Sequence, residues 1–257
     1  MMVPAHVAAV LLKLNIQFPA NPSDIEQIVL RWTHFVAGIT WIGLLYFFNL
    51  VGMPVANALD PAARGKVMPS LMSKAMWYFR WGAALTWLVG FRYFMILAQT
   101  DAAAAGNPSL VGKWLGIWFA CWLVAFVILM GVLQAGKGIL NNGWVIGVIA
   151  IVVLGAAAWL NLSWIAAPDV GNRTLCISVG GGLATIMFLS VWGIVWRCQK
   201  RLIAWTRANA EQNTPMPPEA VKLARMSFLT ARLNFWISFP MLFFMGASAH
   251  FPFLSGR

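Results

Sequence analysis

Six apolar stretches, each able to supply the roughly 20 helical residues that cross a bilayer, recur along the chain between short polar breaks. The first covers Ile28 to Val55, with Pro54 marking its end. Its approach, Asn21-Pro22 and then Ser23-Asp24-Ile25-Glu26, is a capping-box pattern that sets acids at the positive end of the helix dipole. A loop with Asp60-Pro61 and Arg64 leads to the second stretch, Trp77 to Ala98. That stretch opens on Met76-Trp77-Tyr78-Phe79-Arg80-Trp81, an aromatic belt with a snorkelling arginine. A turn over Asp101 to Asn107 precedes the third, Lys113 to Gln134, and a tight loop from Gly136 to Gly143 precedes the fourth, Trp144 to Trp164. Ala167-Pro168-Asp169 and Gly171-Asn172 break the chain before the fifth, Leu175 to Trp196. The sizeable polar segment Arg197 to Arg225, with Thr214-Pro215-Met216-Pro217-Pro218, separates it from the sixth, Ser227 to Ser248.

Residues 1–22, apolar from Val3 to Phe18 apart from Lys13, are too short to span comfortably, with no basic n-region and no small-x-small cleavage site, so the pattern predicts an interfacial helix ahead of Pro19. No internal repeat divides the chain, and residues 1–257 read as a single integral membrane domain with 197–226 as its one larger loop. The predicted fold is all-α: a polytopic helix bundle of about six transmembrane helices plus the N-terminal interfacial helix.

Composition settles the class. Hydrophobic residues make up 61% and charged residues 10%, where a soluble chain of this length carries about 25% charge. Mean hydropathy is +0.76. The net charge of +11 does not mean nucleic acid, because the basic residues sit beside apolar spans, where they set topology and meet lipid headgroups. Arg64, Lys66, Lys74, Arg80, Lys137, Arg197, Lys200, Arg201, Arg207, Lys222 and Arg225 follow spans one, three and five. Lys13, Arg31, Arg92, Lys113, Arg173 and Arg257 fall on the other side. The positive-inside rule makes the first set cytoplasmic, so both termini are expected in the periplasm of a bacterial inner membrane. Cys121, Cys176 and Cys198 lack metal-type spacing and read as buried free thiols.

The candidate chemistry lies in the histidines. Arg31, His34, Gly38 and Trp41 are spaced i, i+3, i+7 and i+10, so they share one helix face in the first span. An ionisable ring inside lipid marks a functional site by default. An even number of spans brings His250, at the end of the sixth, to the same membrane side. Two facing histidines suffice to hold a b-type haem. In that reading His34 and His250 ligate the iron, Gly38 lets the porphyrin approach, and Arg31 and Arg92 pair with propionates. The plainer reading, a histidine resting among headgroups, applies most to His250, and His6 belongs to the interfacial segment. Trp41, Trp87, Trp114, Trp118 and Trp122 read as belt and packing residues, and Gly180-Gly181-Gly182 as a close helix contact.

Several blocks together resemble a known family. His34-Phe35-Val36-Ala37-Gly38-Ile39-Thr40-Trp41-Ile42-Gly43, with Asn49 beyond it, is similar to the first-helix signature of PuuD-type urate hydroxylases, in their membrane (urate oxidase N-terminal) domain. The likeness continues in Trp77-Tyr78-Phe79-Arg80-Trp81, Thr86-Trp87-Leu88-Val89-Gly90 and Gly181-Gly182-Leu183-Ala184-Thr185-Ile186-Met187. It closes with Asn234-Phe235-Trp236-Ile237-Ser238-Phe239-Pro240-Met241 and His250-Phe251-Pro252. The resemblance implies an inner-membrane oxidoreductase that oxidises urate to 5-hydroxyisourate and passes electrons to a cytochrome c. The chain holds no Cys-x-x-Cys-His of a fused cytochrome c domain, which implies a separate cytochrome c or a larger membrane complex. Leu233 stands where the family tends to place a histidine. The alternative reading is a haem b-binding electron-transfer or accessory subunit without urate chemistry. A more distant likeness to CopD and HemJ type proteins suggests copper handling or transport. Against that reading, the spans hold no carboxylate and no Met-x-x-x-Met pair facing His34.

Overall fold

A computed structural model describes residues 19–254 except Lys137 and Pro168. His6, the expected interfacial helix up to residue 18, Lys137 and Arg257 lie outside the described residues. Among those described, the chain forms six helices long and apolar enough to cross a membrane, and no strand. We label them α1 (Pro22–Ala58), α2 (Pro61–Ala104), α3 (Leu110–Ala135), α4 (Gly143–Ile165), α5 (Asn172–Gln212) and α6 (Glu219–His250). The protein is an all-α, multi-pass membrane bundle.

Helix starts follow local chemistry. The α1 cap is Asn21, whose side chain accepts the Ser23 N–H, with Pro22 in the first turn where a missing N–H costs nothing. Glu26 does not close the expected capping box; it serves a longer-range contact described below. Asp60 caps α2 by accepting the Ala62 and Ala63 N–H groups, with Pro61 in its first turn. That cap starts the second helix at Pro61 rather than at Trp77, so the expected loop around Arg64 is helical. Likewise α5 continues through residue 212 and α6 begins at Glu219, leaving only residues 213–218 of the expected 197–226 loop without helix. Asn213 takes a left-handed φ of 53°, and the Asn209 side chain bonds the Thr214 carbonyl to finish α5.

Two helices carry a π-helical turn within their length: Phe47–Gly52 in α1 and Val191–Val195 in α5. The turn in α1 lies immediately before Pro54, and its wider ladder absorbs the break a proline makes. The helix therefore runs past Pro54 to residue 58.

The bundle is organised around α5. Of its apolar stretch 78% is buried, against 22–39% in the other five helices, which turn broad faces outward to lipid. Helix α5 packs on α2, α3, α4 and, most extensively, α6, while α1 lies chiefly on α2. Three consecutive glycines of α5 make these contacts possible. A Cβ at Gly180 would sit 3.2 Å from Phe244 Cβ, one at Gly181 3.7 Å from Trp118, and one at Gly182 inside the Trp122 indole. All three are packing contacts, as their spacing suggested. Trp41, Trp114, Trp118 and Trp122 are buried, and Trp87 stacks on Phe91 and Phe188. Arg80 does not snorkel freely: its guanidinium lies 3.8 Å above the Trp196 ring, and its Nε is buried.

Candidate functional site

One end of the bundle carries His34 and His250, and the other carries most of the basic residues. At the histidine end, the shared face of α1 exists as expected, and its neighbour is α2. His34 lies half-buried against Thr86 and Gly90, Gly38 against Thr86, and Trp41 against Gly82. Small residues on α2 bring the two backbones together, since a Cβ at Gly82 would stand 3.4 Å from the Ala37 carbonyl oxygen and the Trp41 nitrogen.

His34 Nδ1 is 3.0 Å from the Thr86 carbonyl oxygen. That carbonyl is exposed to a second helix because Thr86 Oγ1 and the backbone ladder leave room beside Gly90, where no side chain intervenes. A carbonyl oxygen only accepts, so Nδ1 carries the proton, and in the neutral ring Nε2 is the bare nitrogen. This is the orientation of a metal-ligating imidazole, whose other nitrogen is fixed by a backbone carbonyl.

The close approach expected at Gly38 falls at Gly90 instead. A Cβ on Gly90 would lie 2.7 Å from His34 Cε1, whereas one on Gly38 would meet Thr86 Cγ2 at an ordinary 3.7 Å. Thr86 thus lies beside Gly38 at ordinary contact distance, on the half-exposed face expected to take a porphyrin. Gly90→Ala is expected to push the ring off the Thr86 carbonyl and lower stability by about 1–3 kcal/mol. Gly38→Ala should stay within about 0.5 kcal/mol of wild type. Thermal unfolding of detergent-solubilised variants distinguishes the two.

Arg92 is engaged. Its Nε and Nη2 donate to Glu26 Oε1 and Oε2 at 2.7 and 3.0 Å, a bidentate pair that ties the start of α1 to α2. Arg31 is exposed and makes no ion pair among the described residues. His250 is the exposed last residue of α6. The following residues fold back on α5, where Asn172 receives the Leu254 N–H and donates to the Ser248 carbonyl.

Helix register sets the two histidines at one level. Ser238 Oγ of α6 lies 3.1 Å from the Tyr46 hydroxyl of α1, and each histidine stands twelve residues further toward the same end, about 18 Å along its helix. His34 turns toward α2. For a haem, His34 fits the donor chemistry, and His250 is level with it and open to a ligand.

At the basic end, where sequence reasoning placed no site, a cavity of about 660 Å³ opens between α1, α2, α5 and α6. Both π turns contribute to its wall, through Phe48, Asn49 and Gly52 on one side and Val195 on the other. Turns of this kind concentrate at functional sites. The signal available in the sequence was Asn49 and Asn234, two of the three asparagines inside the apolar spans, and both are buried here.

Compared with models of known families, residues 58–257 match the one described as urate oxidase N-terminal. No curated protein and no solved structure matched the chain. The matched residues run from the end of α1 through His250, so Gly90, Arg92, Asn234 and the glycines of α5 fall within them, while His34 precedes them. With most of its length covered by that match, and six apolar helices of the expected order, the chain belongs to the urate oxidase N-terminal family.

Proposed function

We propose that this protein is a membrane oxidoreductase of the urate hydroxylase type, oxidising urate to 5-hydroxyisourate and passing the electrons to a separate cytochrome c. The observation that carries the reading is the His34 imidazole, set inside a membrane span with Nδ1 bonded to the Thr86 carbonyl. His34 and His250 would hold a b-type haem at their end of the bundle, and the haem would supply a one-electron redox centre. Arg31, exposed at that end, is a cation available to a propionate; Arg92 would first have to leave Glu26. The balance is simple: urate and water yield 5-hydroxyisourate, two protons and two electrons, which reduce two cytochromes c. The distribution of basic residues supports a cytoplasmic Arg64 end, with the histidines and both termini facing the periplasm of a bacterial inner membrane.

Purified protein supplied with urate and oxidised cytochrome c is expected to reduce the cytochrome at a rate that depends on both, with two cytochromes reduced per urate consumed. A haem-bearing preparation that never reduces cytochrome c with urate would overturn the urate assignment and leave an electron-transfer or accessory subunit.

A further inference from the structure

We propose that the cavity at the basic end is a binding site for an isoprenoid quinone, with the carbonyl-bearing ring held deep and the apolar tail lying along the methionine-lined part toward the mouth. Position along the helices gives the cavity a deep layer and a mouth. Leu45, Asn49, Phe79, Val195 and Asn234 lie furthest into the bundle, and Asn57, Arg64, Thr206 and the Met216–Pro218 segment lie at the loop end. Its volume of about 660 Å³ falls within the range of pockets that enclose small organic ligands, about 300–1,000 Å³.

The deep layer selects the head. Asn49 Nδ2 donates at 2.9 Å to Leu45, but its second bond, to the Ala231 carbonyl, is stretched to 3.5 Å. Asn234 Nδ2 makes only a 3.5 Å bond, to the Met187 carbonyl, while its Oδ1 lies 2.9 Å from Ser190 Oγ. A 3.5 Å separation is the outer limit of a hydrogen bond, so each amide retains an N–H suited to a better acceptor. Both side chains are more than nine-tenths buried, where a poorly used donor is costly. No charged residue lines that layer. Two neutral donors without a cation match ring carbonyls, not a phosphate or carboxylate.

The remainder selects the tail. Five of the chain's 13 methionines, Met53, Met68, Met72, Met76 and Met216, line the cavity, and unbranched thioethers adapt to a flexible chain better than branched side chains do. A phospholipid would bind the other way round, with its phosphate at the mouth. Arg64, the cation there, is already committed, donating to the Asn57 and Leu59 carbonyls to close the α1–α2 turn. A phospholipid would also set an acyl end against the two amides.

The test is titration of the full chain in nanodiscs with decylubiquinone, by calorimetry against empty nanodiscs. Saturable binding near one equivalent is expected, weakened at least tenfold by Asn49→Leu and by Asn234→Leu. Ala224→Phe, which fills the cavity from an exposed position in α6, should weaken it equally while leaving thermal stability unchanged. Decane-1-ol, which has the tail and no ring carbonyls, should not compete. Binding to the wild type no stronger than to empty nanodiscs would overturn the proposal. So would equal binding by stable Ala224→Phe, or full displacement by decane-1-ol. The result does not depend on urate turnover, and either can fail without the other.

Discussion

Gly182→Ala is expected to leave little or no folded protein. Trp122 lies directly across from this glycine, wholly buried, and an added methyl would occupy the space of its indole ring. Neither partner can step aside. Trp118, one turn earlier on α3, is anchored by its Nε1–H to the Ser178 carbonyl at 2.7 Å, which fixes α3 against α5. Asn161 of α4 donates to Ser178 Oγ at 2.8 Å from the other side. Overpacking a core commonly costs about 1–3 kcal/mol; here relief requires separating two backbones, so more than about 3 kcal/mol is expected. Gly155→Ala, on α4 with nothing within 4 Å, should be neutral or stabilising by up to about 1 kcal/mol through helix propensity. Monodisperse yield after detergent extraction and the midpoint of thermal unfolding read both. A Gly182→Ala protein with wild-type yield and midpoint would contradict the packing described for α5.

The second large effect is expected at the histidines. In protein reconstituted with haem, His34→Ala should abolish the low-spin Soret and α bands, because the ring bonded to Thr86 would be the ligand held in place by the fold. His250→Ala should retain haem in a five-coordinate, high-spin form, since an exposed residue at a helix end contributes less to retention than a fixed one. Gly90→Ala should shift the bands without abolishing them, by moving the ring and not removing it. Spectra of the three variants that match wild type would place any haem elsewhere in the molecule.

Much of the fold was written in the sequence, because a bilayer imposes a simple rule on apolar runs. All six spans lie where hydropathy put them. Their ends were harder to read, since α2 begins in a segment whose Arg64, Lys66, Ser70 and Lys74 look like loop residues. The Asp60-Pro61 start signal is present, inside what the polar pattern presents as a loop. The π turn of α5 has no local signature, and that of α1 has only Pro54 beyond it. The pairing of Glu26 with Arg92 joins residues 66 positions apart, which no spacing rule anticipates. At the site, His34 was legible as a scarce ionisable residue in an apolar span. Its partner was not, because the Thr86 carbonyl is backbone and Gly90 contributes only the absence of a side chain. Asn49 and Asn234 were visible as motif members, but only the fold brings them to one cavity.

The measurement that tests the central claim most directly is the anaerobic addition of urate to haem-reconstituted protein, without cytochrome c, followed by absorption between the Soret and α bands. The account predicts that urate reduces the bound haem in wild type and that the His34→Ala protein shows no such change. A wild-type spectrum that responds to dithionite but not to urate, at any urate concentration, would contradict it.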